Sequence, residues 1–124
     1  MAEIKVLASP DFEEQSATLT TGPGVAVLAI RRKEDGQSEA IDLKEHLESV
    51  SLQTEEEVRS LAGAAGWGVL GSLFFGPAGL LLGALWGSRS RKEICLAAYL
   101  KDGRKFLGIA DAQTFQQLQA VTFR

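Results

Sequence analysis

The stretch LAGAAGWGVLGSLFFGPAGLLLGALWG, residues 61–87, decides how this chain of 124 residues folds. It runs for 27 residues without a charged side chain and holds eight of the 13 glycines of the chain. In the interior of a helix in water, a glycine costs about 1 kcal/mol relative to alanine. A helix of this composition therefore needs a close partner, and the segment predicts tight helix packing, either within protein or in lipid.

A Gly76-Pro77 pair lies in the middle of this segment and divides it into two arms. Proline removes a helical hydrogen bond and disfavours helix at the residue before it. The strands predicted on either side are too few for two sheets, so we expect them to share one sheet. The segment must then return to the side from which it left. The prediction is a helical hairpin inserted over residues 55–88.

The glycines of the two arms are the candidate helix-packing residues. On the second arm they recur every four residues and form one bare stripe. Such stripes let helix backbones approach closely, and the contact is made by van der Waals packing. The pattern predicts a homo-oligomer. Its candidate packing and oligomerisation residues are Gly68, Gly71, Gly79, Gly83 and Gly87.

Aromatic and basic side chains predict where the hairpin would meet a membrane. The two tryptophans lie nine or ten residues on either side of the bend, which would place both near the base, at the depth that indoles prefer in a bilayer. The two phenylalanines at the bend would be the deep end. The basic side chains would each add about 1 kcal/mol of attraction to anionic lipid, although a solvated turn explains them equally well. The membrane-interface candidates are Trp67, Trp86, Phe74, Phe75, Arg89, Arg91 and Lys92.

Full crossing of a bilayer is not favoured by the length of the arms. The second arm has about 11 residues and would be roughly 17 Å long as a helix, against about 30 Å of hydrocarbon. The segment is therefore expected to enter lipid only as a shallow re-entrant hairpin, or to be buried inside an oligomer.

Short apolar stretches between strong turn signals predict strands on both sides of the segment. Turns are expected at Gly22-Pro23-Gly24, at Asp35-Gly36 and at Asp102-Gly103, the last as a two-residue type I′ hairpin. The stretch Val25–Arg32 is apolar on both faces, which predicts a central strand. Residues 44–53 fit a helix and a strand about equally, and a strand over 48–53 is favoured. The predicted strands are Glu3–Ala8, Ala17–Thr21, Val25–Arg32, Glu39–Leu43, Glu48–Gln53, Glu93–Leu100 and Lys105–Ala110.

Two predicted helices begin with capping signals. Thr54 and Glu57 form a Thr-x-x-Glu capping box, which predicts a helix that starts at Glu55 and runs into the apolar segment. Asp111 is expected to cap a final helix over residues 112–121. The apolar side chains of that helix are spaced by three and form one stripe, which is expected to lie on the sheet.

Composition narrows the possible functions. The chain has 13 basic and 16 acidic residues, net −3, which gives no case for nucleic-acid binding. Residues 1–60 carry net −7 and residues 61–124 net +4, so the halves can attract. Cys95 and His46 are the sole cysteine and histidine, which rules out an internal disulfide and leaves a zinc site or Cys–His pair without support. No catalytic residue, cofactor or small-molecule substrate is predicted. The N-terminus lacks the features of a secretory signal, so a cytoplasmic chain is expected.

The C-terminal sequence KDGRKFLGIADAQTFQQLQA, residues 101–120, follows several short strands and a bridging segment rich in glycine and leucine. In this it resembles small bacterial proteins with a pleckstrin-homology-like fold and an inserted glycine-zipper hairpin. The likeness covers residues 17–121, and Ala97-Ala98 in the central strand departs from it. The resemblance implies one α+β domain over residues 1–124. The fold would be a partly open antiparallel β-barrel capped by the C-terminal helix, with a binding or scaffolding role.

The expected function combines these features. The chain is expected to be a non-enzymatic module that self-associates through its glycine-zipper hairpin, at or in a membrane. Its expected location is cytoplasmic, peripheral or re-entrant at the inner face of the membrane. Two alternatives stay open: a soluble homo-oligomer with the hairpin buried between subunits, and an effector that permeabilises membranes after assembly.

Overall fold

The computed structural model describes residues 2–13, 16–61 and 93–122. The predicted hairpin, its glycine stripe and its membrane-interface candidates lie outside these ranges, apart from the first turns at 55–61. The described strands are β1 (Ala2–Ala8), β2 (Ser16–Gly22), β3 (Val25–Arg31), β4 (Ser38–Asp42), β5 (Leu47–Leu52), β6 (Glu93–Leu100) and β7 (Lys105–Asp111). The described helices are α1 (Leu43–His46), α2 (Glu55–Leu61) and α3 (Ala112–Thr122).

The seven strands form one antiparallel sheet in the order β4-β3-β2-β1-β7-β6-β5. The sheet is curled into a half-barrel, and α3 packs against β5, β6 and β7. The fold is therefore mixed α+β, and each of the seven predicted strands is confirmed to within one or two residues. The first strand lies in the middle of the sheet, because β1 pairs with β2 on one side and with β7 on the other.

The hydrophobic core lies on one face of the sheet, which we call the inner face. In most strands alternate residues point into it, as the two-residue period of a strand requires, whereas Leu47 and Val50 of β5 are three residues apart across a register shift. From α3, Leu118 is buried in this core, and Phe115 and Val121 pack against it. Ala112, the first residue of the predicted stripe, is exposed. The strand residues of the core are Ile4, Val6, Ala17, Leu19, Ala26, Leu28, Ile30, Ile41, Leu47, Val50, Leu96, Ala98, Leu100, Phe106 and Ala110.

The opposite face, which we call the outer face, is exposed along β3, and this corrects one expectation. The strand β3 is hydrogen-bonded to β2 and β4 on its two sides, yet only Ala26, Leu28 and Ile30 are buried. Val25, on the other face, is 50% exposed, and Ala29 is also exposed. The apolar run on both faces thus predicted correctly that β3 has a strand on each side. It does not bring burial of both faces, because the short side chains on the outer face tolerate exposure to solvent.

The turn between β6 and β7 also differs from its prediction. A type I′ turn needs a positive φ at both central residues, but only Gly103 of the Asp102-Gly103 pair has one, at 98°. The N–H of Gly103 donates to the carbonyl of Leu100 at 3.1 Å, and the N–H of Leu100 donates to the carbonyl of Arg104 at 2.8 Å. These bonds define a three-residue loop in which a normal turn is followed by a left-handed glycine.

The helix caps agree with the sequence, with one addition. The Thr54 N–H donates to the Glu57 carboxylate at 3.0 Å, and the Glu57 N–H donates to the Thr54 hydroxyl at 3.3 Å, so the capping box is confirmed. The Asp111 carboxylate accepts from the Thr114 N–H at 2.7 Å and caps α3. The short helix α1 was not predicted, and it begins where the Asp42 carboxylate accepts from the N–H two residues on.

Candidate functional site

All twelve residues singled out from the sequence as packing or membrane-interface candidates lie between 67 and 92, outside the described residues. The structure does describe the body that carries this segment. Four features of that body bear on function: the base of the segment, the outer face beside it, a charged cluster at one end of the half-barrel, and an acidic cleft.

The base of the segment is the pair of strands β5 and β6. They are antiparallel neighbours, with Leu52 opposite Leu96, and the Gln53 N–H donates to the Cys95 carbonyl at 2.8 Å. Helix α2, which follows β5, ends at Leu61, and β6 begins at Glu93. Strands on either side of the segment therefore share one sheet, as the sequence predicted, and they are direct neighbours in it.

The outer face of β6 and β7 is apolar and buried. Cys95 lies opposite Ile109, and Ala97 lies opposite Leu107, so these four side chains share the face away from the core. Their exposed fractions are 1%, 6%, 0% and 0% in that order. We call these four residues the outer patch. Burial raises the pKa of the Cys95 thiol to about 12, so the thiol is protonated at neutral pH and is a poor nucleophile.

A cluster of charged side chains joins β4 to the β6–β7 loop. Arg104 donates two hydrogen bonds to the Glu39 carboxylate, at 2.9 and 3.0 Å, and its Nε donates to Asp102 at 2.7 Å. Arg32 also contacts Glu39, at 3.4 Å from the Oε1 atom that accepts the 2.9 Å bond. The guanidinium hydrogen bonds from Arg104, together with the positive charges of Arg104 and Arg32, hold the pKa of Glu39 below its usual value. These charges neutralise one another. The cluster therefore stabilises the contact between β4 and the β6–β7 loop, and it is a poor ligand site.

An aromatic pair lies directly beneath this charged cluster. The Arg104 guanidinium carbon is 5.3 Å from the centre of the Phe12 ring, and that ring meets Phe106 edge-on at 6.0 Å between centroids. Phe12 is fully buried although it lies in the loop between β1 and β2. The sequence did not single it out, because one aromatic in a polar stretch carries no periodic signal. Its position closes this end of the half-barrel.

The acidic cleft lies at the other end of the sheet, where α3 begins, and has a volume of about 530 Å³. Three carboxylates line it. Glu3 accepts from the Ser16 hydroxyl at 2.8 Å, Asp111 caps α3, and Glu93 begins β6. The cleft therefore places negative charge at the start of β6. Its lining residues are Ala2, Glu3, Thr21, Glu93, Ala110, Asp111, Gln113, Thr114 and Gln117.

The described ranges offer little further site chemistry. Within them, no group of three His, Cys, Asp or Glu side chains is placed to hold a metal ion. His46 is exposed at the end of α1. No helix among the described residues is long and apolar enough to cross a membrane.

Comparisons with known proteins give no match of any of three kinds: no family model matches the chain, and no curated protein or solved structure is significantly similar to it. The resemblance to pleckstrin-homology-like proteins thus stays a prediction from the sequence.

Proposed function

We propose that this chain is a non-enzymatic binding or scaffold module of pleckstrin-homology-like type. Its curled sheet carries a glycine-zipper hairpin over residues 55–88, through which copies of the chain associate at or in a membrane. The sheet supplies a rigid support, and the hairpin supplies the contact between copies.

The observation that supports this proposal most is the pairing of β5 with β6. Because these strands are antiparallel neighbours, a segment that leaves one and enters the other begins and ends at the same end of the sheet. A single membrane crossing by the segment would pull two hydrogen-bonded strands to opposite sides of the bilayer. A hairpin that returns to the side from which it left is compatible with this pairing. Because it is rich in glycine, such a hairpin needs a packing partner.

The native mass of the full chain, measured with and without detergent, tests the proposal. We expect an assembly larger than one chain, and we expect Gly83→Leu to shift it toward the monomer because leucine separates the helix backbones. Gly22→Leu is the matched control, since a Cβ at Gly22 meets no atom within 4 Å. A mass that Gly83→Leu leaves unchanged would contradict the proposed role of the stripe.

The membrane half of the proposal needs a separate test. We expect the chain to stay with the membrane fraction after a carbonate wash, and recovery of all the protein in the wash would remove the membrane from the proposal.

The acidic cleft favours the alternative of a soluble oligomer. Glu3, Glu93 and Asp111 line it, and Glu93 directly follows in sequence the basic run that ends at Lys92, so their negative charge would weaken the attraction of that run to anionic lipid.

A further inference from the structure

The outer face of the sheet is covered on one half and open on the other. On β6 and β7 the outer patch of Cys95, Ala97, Leu107 and Ile109 is at most 6% exposed. On β3 the equivalent face carries Val25, which is 50% exposed. One sheet therefore has a single apolar layer along β2 to β4 and apolar residues on both faces along β6 and β7. Strands buried on both faces need a packing layer on each side.

The described helices account for only one of these two layers. Helix α3 supplies the inner layer, where Leu118 joins the core. Among the described helical residues, Val58 of α2 is the one buried apolar side chain that lies outside this core. A seven-residue helix is about 10 Å long, and one buried side chain of α2 cannot by itself cover a patch that spans two strands.

We propose that the chain's own segment, residues 62–92, docks on the outer patch and forms the second layer. The position of its two ends supports this choice. The segment starts after α2, which already buries Val58, and it leads into Glu93, which lies two residues before Cys95 on the same face of β6. Its first 26 residues, 62–87, carry no charge, as an apolar patch requires.

The chemistry of the outer patch fits such an occupant. Cys95 and Ala97 are small side chains, and they lie beside the larger Leu107 and Ile109. Small residues let a helix backbone come close, and a segment rich in glycine and alanine gains most from a close approach. The segment is also tethered at both ends, so its effective concentration at the patch is in the millimolar range or above. A second copy or a lipid surface would have to compete with it.

Disulfide trapping in the full chain tests the proposal, because Cys95 is the only cysteine. Single cysteines are introduced along the segment, for example Ala65→Cys, Leu70→Cys and Leu81→Cys, and each variant is mildly oxidised. We expect at least one of them to form a disulfide with Cys95 within one chain, seen as a monomer of altered mobility on a non-reducing gel. Disulfides only between chains, or none at any position, would overturn the proposal.

The reactivity of Cys95 in the unaltered chain gives a second test. A maleimide should modify it at least about tenfold more slowly than the thiol of a Val25→Cys, Cys95→Ala variant, because a covered thiol is out of reach of the reagent. We expect the rate to be the same at all protein concentrations. A rate that rises on dilution would show that a second copy covers the patch, and would overturn the docking within one chain.

This inference does not depend on the proposed self-association. A chain that is monomeric by native mass and forms the disulfide within one chain retains the docking and loses the self-association. A defined oligomer with disulfides only between chains gives the opposite result.

Discussion

Both terminal nitrogens of the Arg104 guanidinium donate hydrogen bonds to the Glu39 carboxylate, at 2.9 and 3.0 Å, although the two residues are 65 positions apart in the sequence. Glu39 lies on β4, and Arg104 lies in the loop that joins β6 to β7. In the sheet order, β3, β2 and β1 separate β4 from β7, so this ion pair connects parts of the sheet that the curl brings together. The ion pair stabilises the curled sheet at the end where Phe12 is buried.

Replacing Arg104 by lysine should weaken this ion pair. Lysine keeps the charge but cannot form the two parallel hydrogen bonds, and it loses the stacking on the ring of Phe12. We expect Arg104→Lys to lower the free energy of unfolding by about 1 kcal/mol, measured by urea denaturation. A double-mutant cycle with Glu39→Gln should give a coupling of about 0.5 kcal/mol or more. Additive effects of the two changes would show that the two parallel hydrogen bonds contribute nothing beyond the charge.

Stability should fall in acid because of the same carboxylate. The pKa of Glu39 lies below its ordinary value of 4.5, so the unfolded chain binds the proton more tightly than the folded chain. The contribution of Glu39 is therefore fully present above about pH 4.5 and is lost as the pH falls through the lower pKa of the folded state. Urea midpoints measured between about pH 7 and pH 3 should show this loss, and Glu39→Gln should reduce its slope. An identical slope in Glu39→Gln would assign the acid sensitivity to other carboxylates.

The cap of the C-terminal helix gives a third prediction. The Asp111 carboxylate accepts the Thr114 N–H at 2.7 Å, and hydrogen bonds from the Thr114 side chain and N–H hold the pKa of Asp111 below its usual value. We expect Asp111→Ala to lower the free energy of unfolding by about 1 kcal/mol, because an N-cap donor is left without its acceptor. Asp111→Asn should retain most of the stability. Equal losses in the two variants would point to the charge rather than to the cap.

A fourth prediction uses two glycines in strands. A Cβ added to Gly108 would lie 3.0 Å from the Lys5 carbonyl oxygen and 3.0 Å from Ile4 Cγ2. The carbonyl belongs to β1, which is held against β7, so it cannot move aside. Gly108→Ala should therefore destabilise the fold by about 1–3 kcal/mol. Gly22→Ala meets nothing within 4 Å and should change stability by about 0.5 kcal/mol or less. Thermal melts of the two variants make the comparison.

Local signals in the sequence predicted the elements well. Glycine, proline and aspartate mark the turns between β2 and β3, β3 and β4, and β6 and β7, and the Thr54–Glu57 box and Asp111 mark their helix starts correctly. The failures have physical causes. Helix α1 is only four residues long, too short for a helical period to appear. At Asp102-Gly103 the dipeptide fits two kinds of tight turn, and the sequence does not distinguish a two-residue loop from a three-residue one.

Contacts between distant residues were beyond the reach of the sequence. Nothing in the pattern pairs Glu39 with Arg104, because their proximity depends on the curl of the whole sheet. The apolar stretch Glu93–Leu100 is typical of a buried strand, and the burial of Cys95 and Ala97 agrees with it. Ala97 and Ala98 depart from the pleckstrin-homology-like pattern, and both are fully buried, on opposite faces of β6.

The central position of β1 has a consequence for synthesis on the ribosome. Its partner β7 ends at Asp111, so most of the chain must be translated before one edge of the first strand finds its hydrogen-bond partners. Until then β1 to β4 form an incomplete sheet in which one edge of β1, at Ile4 and Val6, has no hydrogen-bond partner. Unpaired strand edges of this kind promote aggregation. The nascent chain should therefore depend on chaperones until its last strand emerges.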